Sequence, residues 1–192
     1  PWVEVKRKEL LDAIRSASGL WLEAMAASPS ATPGSAFRLN VTALVRAGSG
    51  AALARVVVPW GKGEGLPAGA ELKLNEPVQG TATVPVPEAA DVTQPHWLRA
   101  RPGKGLYSVP SPKDANRPDG AALRVSFDVV MGGETLAYDV PVLFRRTDPV
   151  KGEEIRPFLV EPPVTVALEE DVLVLPDDRP RPVKVTVRAA EA

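Results

Sequence analysis

The sequence predicts an all-β chain, folded as a sandwich, with one helix at its start. Three observations lead there. Between residues 121 and 148 apolar side chains fall on every second position: Leu123, Val125, Phe127, Val129 and Met131, then Leu136, Tyr138, Val140, Val142 and Phe144. Phe37, Leu39, Val41, Ala43 and Val45 repeat the pattern. Period-two alternation is the mark of a half-buried strand. The third observation is the spacing of the 21 prolines and 15 glycines, which cluster between these runs and cut the chain into short strands with stiff connections. Antiparallel strands of this length and spacing point to an immunoglobulin-like β-sandwich over residues 35–148.

The first 34 residues read as a helical lead-in. From about Lys6 to Ala27, Leu10, Leu11, Ile14, Ala17, Leu20, Trp21, Ala24 and Met25 recur at helical spacing, and Ser28-Pro29 and Pro33-Gly34 end the run. The stripe of Leu10, Ile14, Trp21 and Met25 is expected to dock on protein. The first strand, Phe37 to Val45, turns at Gly48-Ser49-Gly50, and residues 51–59 return as the second. Ala70, Leu72 and Leu74 mark a third strand. Residues 82–86 mark a fourth, placed at a sheet edge by Pro85 and Pro87. His96-Trp97-Leu98 is expected to open a fifth. Residues 102–120 form the longest irregular stretch.

The hairpin that follows has a register that the sequence itself dictates. Gly132-Gly133 suits a two-residue primed turn, because glycine takes positive φ without a steric penalty. Pairing Met131 with Glu134 then sets Val129 opposite Leu136, Phe127 opposite Tyr138 and Val125 opposite Val140. A slip of one residue would send one apolar row to solvent. Phe127 should therefore face Tyr138 and the core. After the Asp148–Gly152 break, residues 149–192 read as a linker and the opening strands of a second sandwich, with Val164, Val166 and Leu168, then Val183, Val185 and Val187, alternating. Two or three strands cannot bury a core alone, so this tail either pairs with the first sheet or belongs to a separate module.

Composition narrows the function classes. A net charge of −1 offers no electrostatic reason to expect nucleic acid or an anionic membrane surface as a partner. No cysteine is present, which removes disulfides, thiolate metal sites and a cysteine nucleophile. No apolar run reaches the ~20 residues of a membrane span. The start, Pro1-Trp2-Val3-Glu4, lacks both an initiating Met and a signal-peptide core, and is expected to mark a segment excised from a longer protein.

Chemistry-bearing motifs are sparse. His96 is the single histidine, so it would have to carry any serine-type catalysis or zinc binding almost unaided. Glu169-Glu170-Asp171 and Asp177-Asp178 lack calcium-loop spacing and read as solvated turns. Gly61-Lys62-Gly63-Glu64-Gly65 lacks the spacing of a phosphate-binding loop, and the sequon Asn40-Val41-Thr42 falls inside a strand. No metal or cofactor is expected, and no catalytic residue is assigned. The aromatics are more informative. Trp60, Trp97 and Tyr107 lie in or beside loops, with Arg99 next to Trp97, and an aromatic platform with nearby donors suits the face and hydroxyls of a sugar. The competing expectation is that the rings fill the open ends of the sandwich, with Trp97 turned inward and Tyr107 the more exposed.

Several of these stretches together resemble the non-catalytic C-terminal region of bacterial PIG-L (LmbE-like) deacetylases: Ala17-Ser18-Gly19-Leu20-Trp21-Leu22-Glu23-Ala24, Gln94-Pro95-His96-Trp97-Leu98, Gly105-Leu106-Tyr107-Ser108-Val109, and Asp148-Pro149-Val150-Lys151-Gly152-Glu153 continuing through Arg156-Pro157 to Pro162-Pro163-Val164-Thr165-Val166. Members of that family deacetylate N-acetylglucosaminyl-type substrates with a metal held in part by a His-Pro-Asp-Asp motif. The nearest string here, Leu175-Pro176-Asp177-Asp178, lacks the histidine. The resemblance therefore implies a non-enzymatic accessory region whose partners are other domains of the same polypeptide, with glycan as a candidate ligand and a periplasmic or extracellular location. The alternatives are a purely structural spacer or protein-interaction module without a ligand and, third, a self-contained enzyme.

Overall fold

The computed structural model describes the 192-residue chain except for residues 1, 102, 107–122, 171, 175, 178, 191 and 192. It is mostly β-strand, with one helix, α1 (Trp2–Ala17), at the N-terminus. The strands are β1 (Trp21–Ala26), β2 (Ser30–Ala31), β3 (Ala36–Leu44), β4 (Ala52–Val57), β5 (Ala70–Glu71), β6 (Val78–Pro85), β7 (Arg124–Met131), β8 (Glu134–Asp148), β9 (Gly152–Pro157), β10 (Leu159–Val160), β11 (Val164–Leu168) and β12 (Val185–Ala189). The main sheet runs in the order β5-β4-β7-β8-β1-β3-β6, with β9 also paired to β8.

Strand β8 is the element that joins the two halves of this sheet. Its first half pairs antiparallel with β7, from Met131↔Glu134 to Arg124↔Pro141. Beyond Pro141 the same strand runs parallel to β1, at Ala24↔Val142 to Ala26↔Phe144. It also runs antiparallel to β9, from Leu143↔Pro157 to Asp148↔Gly152. One strand shared in this way leaves the sheet nearly barrel-shaped. The apolar rows point into it: Leu39, Leu53, Val125, Phe127, Val129 and Val142 are fully buried. Phe158 closes one end, stacked on Phe37 with ring centroids 4.3 Å apart.

The β7–β8 register is the expected one at every pair: Val129↔Leu136, Phe127↔Tyr138 and Val125↔Val140. Both turn glycines have positive φ, 59° at Gly132 and 86° at Gly133, as a type I′ turn requires. The expected edge strand is also found at an edge, although β6 starts four residues earlier than the sequence suggested.

The helix is the main correction. It starts at Trp2 and stops at Ala17, and the second half of the expected helix is strand β1. The stop is a Schellman motif: the Leu20 amide donates to the Arg15 carbonyl, and the Gly19 amide to that of Ser16. Gly19 supplies the positive φ of 58°. From there Leu20, Leu22, Ala24 and Ala26 are buried at period two, so the burial pattern differs from the helical stripe read across the same residues. Leu10 and Trp21 are 61% and 49% exposed, and α1 has no fully buried residue. The expected docking stripe does not form. Instead the C-terminal end of α1 is tied to the sheet. The amides of Arg46 and Ala47 donate to the Gly19 and Ser18 carbonyls, and the Arg15 guanidinium donates to the carbonyls of Leu20 and Leu22.

Three smaller expectations change as well. The third strand shrinks to the two residues of β5. A register shift between Leu53 and Arg55 in β4 keeps Leu53 and Val56 facing inward. His96–Leu98 forms a 3-10 turn in place of a fifth strand, since the residues after Pro95 close a Leu98-to-Pro95 turn bond. Pairing also crosses the division at 35 and 148. Strand β1 pairs with β3 and β8 and strand β9 pairs with β8 in the main sheet, while β10 and β2 form a separate two-stranded parallel sheet. Among the described residues, strands β11 and β12 pair only with each other, from Val164↔Ala189 to Leu168↔Val185.

Candidate functional site

Register places the candidate contact residues at one end of the sheet. Strand β4 ends at Val57, opposite Ser126 near the start of β7. Strand β6 ends at Pro85, opposite Ala36 at the start of β3. Trp60 leaves β4 at that end, and Trp97 and Arg99 lie in the connection from β6 to β7. Trp60 is half-buried and packs on the core. A Cβ on its neighbour Gly61 would lie 2.9 Å from the Pro85 ring, so this loop sits tightly on the end of β6.

Trp97 takes the other environment. It lies in the 3-10 turn and is 43% exposed, against the expectation that it fills the core. Arg99 is exposed beside it. The turn is anchored a few residues upstream, where the Thr93 amide donates to the Val160 carbonyl and the Val160 amide donates to the Thr93 hydroxyl at 2.9 Å. Tyr107 lies outside the described residues, as does most of the 102–120 stretch. The structure thus places Trp60, Trp97 and Arg99 in connections at one end, with one ring packed inward and one presented outward.

Charged side chains gather elsewhere, on the β8–β9 hairpin. Arg146, Lys151, Glu153, Glu154, Ile155 and Arg156 line an open depression there. Arg146 pairs with Glu154 at 2.6 Å, and Lys151 and Arg156 each lie 3.8 Å from the same carboxylate. Arg145 bridges Glu23 of β1 and Glu153 of β9. The Asp148 carboxylate accepts the amides of Val150 and Lys151, both at 2.8 Å, and closes the turn. Those two bonds, Lys151 first, hold its carboxyl below the usual value. Each cation in this group faces a carboxylate, so the surface is internally neutralised and its exposed pairs add ~0–1 kcal/mol each.

Two further polar groups were not singled out in the sequence. Asp128 is buried on the outer face of β7 and accepts from Arg55, its cross-strand partner on β4. Among the described residues the buried Tyr138 hydroxyl has no hydrogen-bond partner. Burial pushes its pKa up, while Arg15 and Asp12 of α1 act on it in opposite senses. Neither group carries a readable sequence signal, because each is defined by what a distant strand or the helix lays over it. Asn40 of the sequon accepts from the Thr81 hydroxyl at 2.9 Å within the sheet. Among the described residues no group of three or more His, Asp or Glu side chains is gathered as metal ligands.

Compared with protein-family models, with curated proteins and with solved structures, the chain matches none.

Proposed function

We propose that this chain is a non-catalytic, immunoglobulin-like β-sandwich module that positions neighbouring domains of a PIG-L-like N-acetylglucosaminyl deacetylase, with Trp97 and Arg99 as its candidate glycan contact. The observation that carries the reading is the pairing order. Strand β1 runs antiparallel to β3 and parallel to β8, β3 pairs with β6, β4 pairs with β7, and β7 pairs with β8. Within the one sheet, joined through the β1–β8 pairing, the runs β1-β3-β6 and β5-β4-β7-β8 follow the strand order expected for the two sheets of an immunoglobulin-like Greek key, and this order supports the reading. Such a body is a stiff spacer. Its loops gather at the two ends while the sheets stay rigid, which suits a part that holds other domains at a fixed separation.

The resemblance to the accessory region of the deacetylases supplies the enzyme, and the exposed indole of Trp97 supplies the candidate sugar contact. The spacer-only alternative is favoured by Trp60, whose ring packs on the core and leaves Trp97 as the one exposed ring among the described candidate contacts. A glycan array probed with the wild-type chain and with Trp97→Ala separates the two. Binding that disappears in the variant supports glycan contact, and an array blank for the wild type supports the spacer. Release of acetate from an N-acetylglucosaminyl substrate by this chain alone would overturn the accessory reading altogether.

A further inference from the structure

We propose that residues 61–69 form a strap that covers the free edge of β6 and blocks that edge from pairing with the β6 edge of a second copy of this chain. A strand at the end of a sheet presents unpaired N–H and C=O groups and is a template for another strand unless something blunts it. Among the described residues the sheet has three such strands, and each is protected by different means. Strand β5 is two residues long. Strand β9 carries Glu153, Glu154 and Arg156 within six residues. Strand β6 has neither defence: its eight residues, Val-Gln-Gly-Thr-Ala-Thr-Val-Pro, include no charge.

What β6 has is the strap. Gly80, in mid-strand, lies so close to it that a Cβ there would come within 2.4 Å of the Pro67 ring, 3.0 Å of the Gly65 carbonyl oxygen and 3.3 Å of the Leu66 Cα. From the other side, a Cβ on Gly65 would lie 2.5 Å from the Thr81 carbonyl oxygen. Glycine inside a strand weakens it and marks the close approach of another backbone. Here two glycines, one on each segment, permit that approach. The strap is held at its middle by Leu66 packed on the core and at its end by the Gly69 amide donating to the Ala54 carbonyl of β4 at 3.1 Å. It therefore bridges from the β4 side of the molecule to the far edge strand. The uncharged strand and the covering segment are complementary: lifting the strap would expose the longest uncharged edge of the sheet.

An identical copy is the partner the edge itself fits, because an uncharged strand laid antiparallel on its own copy meets no like-charge repulsion. The test lifts the strap in two ways. Gly80→Val places a strand-compatible side chain where the Pro67 ring now lies, and Leu66→Asp removes the apolar anchor without touching β6. Amide exchange at Gly69 reports release of the strap, and light scattering on the eluting protein reports mass. The expected result is faster exchange at Gly69 and a gain to twice the wild-type mass in both variants. Adding Thr83→Lys, a charge on the exposed face of the edge, should abolish the gain. If Gly80→Val does not fold, Leu66→Asp decides alone. A released strap with unchanged mass would overturn the proposal, and so would a strap that stays protected in both variants. A wild-type chain already paired through β6 would do the same.

Discussion

At the scale of single residues, Gly19 decides more of this structure than any side chain around it. It ends α1, turns the chain into β1, and lies where a Cβ would sit 2.8 Å from the Arg46 Cβ. Gly19→Val combines a β-branched side chain at positive φ with that overlap. It should lower stability by about 1–3 kcal/mol, measured as a shift in the denaturant midpoint. Tyr138 gives a second prediction at this scale. Its buried hydroxyl has no hydrogen-bond partner among the described residues, so Tyr138→Phe removes an unmet desolvation cost and should leave stability unchanged or higher. The same substitution should change the alkaline limb. Burial raises the folded-state pKa of Tyr138 above the ordinary 10.0, so its contribution is complete below pH 10 and is lost as pH rises through the folded value. Unfolding followed from pH 8 upward should show a shallower loss in the phenylalanine variant; an identical limb would mean that Tyr138 does not ionise with unfolding.

At the scale of elements, the β7–β8 hairpin and the first thirty residues show two ways of encoding structure. The hairpin is local: a two-glycine turn and two alternating rows leave a single register that buries both rows. Phe127 sits at its centre with no exposed surface. Phe127→Ala should cost roughly 3–5 kcal/mol, and a near-unchanged unfolding midpoint would contradict the register. Residues 17–26 are encoded ambiguously. Leu20, Trp21, Ala24 and Met25 satisfy a helical period, while Leu20, Leu22, Ala24 and Ala26 satisfy a strand period. The signal that separates them is Ser18-Gly19, a helix-stop pair. The apolar stripe read as a helix runs straight across it. Pairing with β3 on one side and β8 on the other then selects the strand.

At the scale of the whole molecule, pairing divides the described strands into one eight-stranded sheet and two separate two-stranded sheets, β10–β2 and, last in the chain, β11–β12. In that small sheet Val164, Val166 and Leu168 lie opposite Ala189, Val187 and Val185, and every residue of both strands is exposed. An isolated two-stranded sheet is at best marginally stable in water. The amides of Val166 and Val187 should therefore exchange orders of magnitude faster than those of Val41 and Phe127. Protection equal to that of the core would show that this hairpin is covered in solution.

What the sequence determined by itself is the material that acts locally: the all-β class, the alternating rows, the primed turn and its register, and the edge position of a strand flanked by prolines. Each of these depends on neighbours within about ten residues, so period and turn chemistry suffice to read it. Tertiary structure alone decided the rest. Strand β8 takes β7 on one side along its first half and β1 on the other from Val142 onward. Residues 152–157 join the body because β8 runs on past the end of β7 and pairs with β9 there, and Phe158 stacks on Phe37 across more than a hundred residues of sequence. The candidate contact was legible only as residue types: Trp60 and Trp97 look alike in sequence, yet one ring packs on the core and the other is presented to solvent. That difference depends on which distant strand end each loop meets, and no local pattern records it.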